Sequence, residues 1–122
     1  ITNVARLVRA RFAQVFTSGI AINSSGAGTG PTEMFVKNYG ARVQHMAFLT
    51  DDITAVDAAL RQSGLGFLSD LVGSEAEGIR QSFSAPSPNT LLVNEYICRY
   101  GDFKGFFTRQ NVTQLTLATG KQ

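Results

Sequence analysis

Two polar side chains interrupt apolar stretches of this sequence, and both belong to residue types that bind metal ions. His45, the only histidine, lies in RVQHMAFLTDD, and Glu95 lies in TLLVNEYICRY. A titratable group at the centre of an apolar strand is costly unless it is paired or bound. Non-haem Fe(II) oxygenases hold iron with two histidines and one carboxylate, and they leave the other positions open for substrate and oxygen. His45 and Glu95 could supply one histidine and the carboxylate; the alternative is a core histidine that hydrogen-bonds to a carboxylate.

A strand and the helix after it must position the histidine. Residues 41–49 alternate in two sets that are both mostly apolar, which predicts a central strand of a sheet. Thr50 and Asp51 are expected to cap the following helix, Asp52 adds a negative charge near its N-terminus, and Gly64 ends it. Four apolar residues recur at helical spacing and form its buried stripe: Ile53, Val56, Ala59 and Leu60.

Two later strands must position the glutamate. The segment 73–78 reads as a polar turn, and the segments 79–85 and 90–100 read as strands. Along the second of these strands, Glu95 and Cys98 fall on opposite faces. Cys98 is therefore not expected to bind a metal together with Glu95.

Shorter elements are expected at the two ends of the chain. Residues 4–16 and 20–23 read as the two strands of a hairpin, and Pro31 begins a short helix that ends at Gly40. Near the other end, residues 111–119 fit the periodicity of a helix and that of a strand. A hairpin followed by the order strand, helix, strand, strand predicts an α+β fold with a mostly antiparallel sheet.

Composition limits the classes of protein to which the chain can belong. The 122 residues are 43% hydrophobic and 16% charged, which is typical of one globular domain. A net charge of +2 does not indicate nucleic-acid binding. No apolar run approaches the ~20 residues of a membrane-spanning helix, so no membrane partner is expected. The single cysteine excludes an intrachain disulfide, which fits a reducing compartment such as the cytoplasm.

Several stretches together resemble the 4-hydroxyphenylpyruvate dioxygenases and the related hydroxymandelate synthases. The stretch VQHMAFLTDDI resembles the strand that carries that family's second metal histidine. The stretch IRQSFS resembles the family's strand that ends in Gln-x-Phe. The stretch that holds the family's metal glutamate is similar to NEYICRYGDFKGFFTRQNV. A short strand ending in a pocket asparagine is similar to IAIN near the start. The stretches occur in the family's order.

The resemblance implies the vicinal-oxygen-chelate fold, which the family shares with glyoxalases and bleomycin-resistance proteins. In that fold, βαβββ modules form an open, curved and mostly antiparallel barrel around a metal. We expect residues 1–122 to form one such domain. Residues 1–40 would be part of one module, and residues 41–122 would be a complete module with a C-terminal helix.

The resemblance also implies roles for eight residues. His45 and Glu95 match the family's second iron histidine and its iron carboxylate. Gln44 matches a residue of the second sphere around the metal. Five residues match positions that line the substrate pocket: Asn23, Gln81, Phe83, Phe106 and Asn111. No catalytic residue beyond the metal ligands is implied.

The implied reaction is the oxidative decarboxylation and hydroxylation of an aryl 2-oxo acid, with Fe(II) and O₂. The family's first iron histidine lies on a strand upstream of the region that this sequence matches, so two of three protein ligands are expected here. Three hypotheses follow. The chain is part of such a dioxygenase, or a divergent member of the group. Alternatively, it is a non-catalytic module of the same fold that binds a small molecule or dimerises. In the third, a second chain supplies the missing histidine strand at an exposed sheet edge, as in a homodimer.

Overall fold

The computed structural model describes residues 2–6, 13–17, 31–105 and 108. Two compact units are present, Ile1–Arg42 and Val43–Gln122. The predicted strand at 20–23 and the predicted C-terminal helix lie outside the described residues. The predicted division into modules stays a prediction.

In the first unit, two short strands form an antiparallel pair. Strand β1, Thr2–Arg6, pairs with β2, Ala13–Thr17, so that Thr2 lies opposite Thr17. The prediction of one strand over 4–16 is therefore wrong. The sequence LVRARF between the two strands contains no Gly, Pro, Asn or Asp, so the usual signal of a turn is missing there.

The helix of the first unit agrees with the prediction from its ends. Helix α1, Pro31–Tyr39, starts at a proline and carries Glu33 in its first turn. Gly40 follows it with a positive φ of 78°, and its backbone N–H donates to the Val36 carbonyl at 2.8 Å. Proline at the start and glycine at the end suit the backbone geometry that helix termini require.

The second unit is built on a four-stranded sheet. Its strands are β3 (His45–Leu49), β4 (Val72–Ser74), β5 (Ile79–Phe83) and β6 (Val93–Arg99). Their order is β3-β6-β5-β4; β3 is parallel to β6, and the other pairs are antiparallel. The predicted α+β class with a mostly antiparallel sheet is confirmed. Strand β4 was not predicted, because its residues fall at the start of a segment rich in turn-forming types.

Strand β3 differs from the prediction of a central strand. Within the described residues it pairs only with β6 and lies at the edge of the sheet. Met46, Phe48 and Leu49 are 45%, 47% and 67% exposed. Apolar side chains on both faces of a strand predict burial, but they do not determine how many neighbouring strands it has.

The cap of the helix after β3 lies one residue later than predicted. Helix α2, Ile53–Gln62, is capped by Asp52, whose Oδ1 accepts a hydrogen bond from the Ala55 backbone N–H at 3.0 Å. The prediction that Thr50 and Asp51 cap this helix is therefore wrong. Three capping-type residues stand in a row, and their sequence does not show which one has the non-helical backbone conformation that a cap needs. Gly64 ends the helix region as predicted, with a φ of 92°.

The sheet of the second unit presents two different faces. Helix α2 packs on the face that carries Arg80, whose Nη1 donates to the Thr54 hydroxyl at 3.0 Å. On the opposite face of β5 and β6 lies a run of buried side chains: Ile79, Gln81, Phe83, Val93, Glu95 and Ile97. Residues i and i+2 of a strand share a face, so the alternation of β5 and β6 alone puts these six side chains on one side.

Candidate metal centre

The strand register brings three polar side chains together on this buried face. Strand β3 runs beside β6 with Ala47 opposite Glu95, so His45 lies two positions from the glutamate on the same face. Strand β5 runs on the other side of β6 with Phe83 opposite Glu95, so Gln81 is a diagonal neighbour of the glutamate. Diagonal neighbours in a sheet are within reach of long side chains. Glu95 therefore lies between two strands that each present a partner.

The pairing of histidine with glutamate, which the sequence suggested, is present. Nε2 of His45 lies 3.1 Å from Oε2 of Glu95. The His45 side chain is 31% exposed, whereas that of Glu95 is only 5% exposed. The glutamate is thus the buried end of the pair, and the histidine is the end that solvent reaches.

The separation of these two atoms fits a metal ion as well as a direct hydrogen bond. A separation of 3.1 Å lies within the range of hydrogen bonds between an N–H donor and an oxygen acceptor. Two ligands that each lie about 2.1 Å from a metal ion, at right angles, are about 3.0 Å apart. Imidazole and carboxylate are also suitable ligands for iron. The two side chains therefore fit two adjacent positions around such an ion.

The second oxygen of Glu95 has a partner of its own. Nε2 of Gln81 donates a short hydrogen bond to Oε1 of Glu95. The Gln81 side chain is fully buried, with 0% exposure. A buried carboxylate is stable only when its oxygens are paired, and here each oxygen has a different partner. The sequence placed Gln81 on the correct face but did not predict this bond.

Phe83 forms an apolar wall next to the histidine. Its ring lies 5.8 Å from the His45 ring, centroid to centroid, and meets it edge to face at 79°. Phe83 is buried and packs against Val93 and Leu68. Edge-to-face contacts stabilise one ring orientation over others. The contact helps to fix the direction in which the imidazole points.

Of the other four residues with a predicted role, the structure describes only Gln44. Gln44 is half-buried, and its backbone carbonyl accepts a hydrogen bond from the Val93 N–H at 3.3 Å, which joins the start of β3 to β6. Asn23, Phe106 and Asn111 lie outside the described residues. The roles assigned to all eight residues stay predictions.

The α2 face of β6 carries no part of this cluster. Sγ of Cys98 lies 3.7 Å from the Asp51 carbonyl oxygen, consistent with the prediction that Cys98 points away from Glu95. Burial raises the pKa of Tyr100, and a hydrogen bond with Cys98 raises it further. Within the described residues, no group of three or more His, Cys, Asp or Glu side chains comes together. His45 and Glu95 are therefore the two candidate metal ligands on the opposite face of the sheet.

Comparison with known proteins identifies the fold. No family model and no curated protein sequence match the chain. Among solved structures, a triple mutant of 4-hydroxymandelate synthase from Streptomyces coelicolor matches 77% of this chain with a TM-score of 0.64 and 24% sequence identity. The chain has the vicinal-oxygen-chelate fold. The fold implied by the sequence resemblance is thereby confirmed.

The vicinal-oxygen-chelate fold seen here corresponds to only part of the synthase. The chain spans about a third of that protein, or 34% of its length. A second match is methylmalonyl-CoA epimerase from Streptomyces coelicolor in complex with 2-nitronate-propionyl-CoA. The match covers 58% of this chain and 51% of the epimerase chain, with 25% sequence identity and a TM-score of 0.49. In the described residues, no helix has the length and apolar character needed to cross a membrane. The likeness to the synthase, at 24% identity, shows the fold alone.

Proposed function

We propose that this chain is part of, or a divergent member of, an Fe(II)-dependent 2-oxo-acid dioxygenase of the 4-hydroxyphenylpyruvate dioxygenase type. The observation that supports this most directly is the pair of His45 Nε2 and Glu95 Oε2, 3.1 Å apart on adjacent strands of a vicinal-oxygen-chelate fold. The proposed substrates are an aryl 2-oxo acid and O₂. The proposed cofactor is Fe(II), held by these two side chains and by a third ligand from outside the described residues.

The protein's part in such a reaction is to bind and to orient. Iron, when bound, supplies the redox chemistry by which O₂ oxidises a 2-oxo acid with loss of CO₂ and hydroxylates the product. His45 and Glu95 would hold the ion at the boundary between buried face and solvent. Phe83, which is buried beside the imidazole, would keep water away from the histidine side of the site. Asn23, Phe106 and Asn111 would complete the substrate pocket.

Anaerobic binding of Fe(II) to the purified chain tests the metal site. We expect weak binding with a stoichiometry of one ion per chain, because the described residues bring only two candidate protein ligands to the site. His45→Ala and Glu95→Ala should each abolish it, whereas Glu75→Ala, which removes an exposed carboxylate from a turn, should leave it unchanged. Equal binding by the unsubstituted chain, His45→Ala and Glu95→Ala would contradict the proposal.

A dimerising module of the same fold is the second candidate function. It is favoured by the exposed apolar side chains of the edge strand β3, because large apolar surfaces at a sheet edge are typical of association sites. The proposed occupant is a second copy of this chain, which would also bring further ligands towards the metal pair.

Light scattering and analytical ultracentrifugation measure whether the chain is a dimer or a monomer in solution, which tests this second candidate function. Leu49→Lys places a charge on the exposed edge and should convert a dimer into a monomer. Val36→Lys is the matched control, because Val36 is a similarly exposed apolar residue on α1. A chain that is monomeric at all concentrations would exclude the dimerising function.

A further inference from the structure

The hydrogen bond between Gln81 and Glu95 suggests a second role for a residue that the sequence assigned to the substrate pocket. Gln81 is fully buried, so it offers no exposed surface to a substrate. One of its amide N–H groups is directed at Oε1 of Glu95. The contact is between two side chains of neighbouring strands in a fixed register, and it does not depend on a loop.

This contact determines which of the two Glu95 oxygens faces Gln81 and which faces His45. The last torsion of a glutamate side chain is soft, and rotation about it exchanges the two oxygens or turns both away from a partner. A hydrogen bond to Oε1 opposes that rotation, because turning the buried carboxylate would break the bond. Oε2 is then the oxygen that faces His45, 3.1 Å away.

We propose that Gln81 is a positioning residue of the metal site: its buried amide holds Oε1 of Glu95 and leaves Oε2 as the single oxygen aimed at a cation shared with His45. This inference rests on the proposed function, since it requires a cation at that place. It adds that Glu95 binds through one oxygen and that the orientation of this oxygen is set from β5. Outer-sphere hydrogen bonds of this kind orient metal ligands, and their loss typically lowers metal affinity about 10–100-fold.

The variant Gln81→Met tests the proposal because it keeps the length of the side chain and removes the donor. The matched control is Ser82→Ala: Ser82 is the next residue of β5, is equally buried, and its hydroxyl has no hydrogen-bond partner within the described residues. Co(II) is the probe, since its visible absorption reports the number and geometry of its ligands. Circular dichroism confirms that each variant is folded.

We expect Gln81→Met to bind Co(II) about 10–100-fold more weakly than the unsubstituted chain, with an altered visible spectrum, and Ser82→Ala to match the unsubstituted chain in both. If Gln81→Met binds Co(II) with unchanged affinity and spectrum while His45→Ala does not bind it, the role of Gln81 is overturned and the metal site stands. If the unsubstituted chain does not bind Co(II), the proposed function and this inference both fail. Should Gln81→Met not fold, Gln81→Asn, whose amide is one methylene too short to reach Glu95, carries the same expectation.

A second readout needs no metal. His45 is the only histidine, so its imidazole gives one set of ring-nitrogen signals in a ¹H–¹⁵N NMR spectrum. Without the Gln81 hydrogen bond, Glu95 is free to turn, and we expect the Nε2 signal of His45 to shift in Gln81→Met but not in Ser82→Ala. An Nε2 signal that is the same in all three proteins would show that Gln81 does not control Glu95.

Discussion

Glu95 has two oxygens with two different partners, and this arrangement separates its contribution to stability from its proposed role in metal binding. The bond from Gln81 to Oε1 satisfies two buried groups and belongs to the core. The contact from Oε2 to His45 reaches a side chain that is partly exposed, and it belongs to the site. A substitution that keeps the first contact but weakens the second should therefore change binding more than it changes folding.

The pair Glu95→Gln and Glu95→Ala tests this separation. Glu95→Ala removes the oxygen that accepts the hydrogen bond from Gln81 Nε2, and we expect the free energy of unfolding to fall by about 1–3 kcal/mol from that loss, with a further loss from the cavity. Glu95→Gln keeps a carbonyl oxygen for Gln81 and nearly the same volume, so its loss should be clearly smaller, although both variants lose the carboxylate ligand. Urea unfolding followed by circular dichroism measures the difference. Equal destabilisation by both variants would contradict the assignment of Oε1 to the core.

At the residue scale, the sequence predicts the strand face on which each polar side chain lies better than it predicts which side chains form hydrogen bonds. The period of two along a strand puts Glu95 and Gln81 on defined faces of their own strands, and the pairing of His45 with Glu95 could be expected from the cost of burying either one alone. The bond between Gln81 and Glu95 depends on the register of β5 against β6, which places Phe83 opposite Glu95. Alternation limits a register to every second residue but does not choose among those that remain.

At the element scale, the predictions succeed where helix ends carry strong signals. Pro31 and Gly40 predict helix α1, and an apolar stripe followed by Gly64 predicts helix α2. The sequence does not predict strand β4, Val72–Ser74, because three residues are too few to show alternation and a glycine occupies its centre. Short elements owe their existence to pairing with a neighbour, which a single segment of sequence does not show.

The cap of α2 provides a test at this scale. Asp52 accepts a hydrogen bond from Ala55 N–H, so Asp52→Ala should lower the free energy of unfolding by about 0.5–2 kcal/mol. Asp51→Ala is the matched control, because it removes the neighbouring exposed aspartate that does not cap the helix. Thermal unfolding of the two variants gives the comparison. A larger effect at Asp51 would show that the helix begins one residue earlier in solution.

A glycine before β5 provides the second test at this scale. Gly78 has a φ of 85°, and a Cβ added there would lie 2.8 Å from Cβ of Phe103, whereas Gly64 has a φ of 92° and open space around it. Gly64→Ala should therefore cost only the strain of the left-handed conformation, about 1–2 kcal/mol. Gly78→Ala should cost at least about 1 kcal/mol more, because Phe103 has to move. Equal unfolding free energies for the two variants would show that Phe103 adapts without cost.

At the scale of the whole molecule, the position of β3 is what the sequence did not predict. The strand was expected at the centre of a sheet, but it is an edge strand in the described residues, with Leu49 67% exposed. An edge strand that carries a proposed metal ligand and exposed apolar side chains combines the two proposed functions in one place. Its neighbour, whether from this chain or from a second copy, would lie next to His45 and could supply the ligand that completes the site.

Metal binding and association should therefore be linked, and thermal unfolding can measure the link. An ion that binds only the folded chain stabilises it by about 2.7 kcal/mol when its concentration is about 100 times Kd. If a second copy completes the site, the rise in Tm caused by Co(II) should grow with protein concentration, because dimerisation then strengthens binding. Leu49→Lys should remove the dependence on protein concentration and leave the smaller rise expected for two ligands, and His45→Ala should remove the rise altogether. A rise that is independent of protein concentration in the unsubstituted chain would mean that each chain binds its ion without help from a partner.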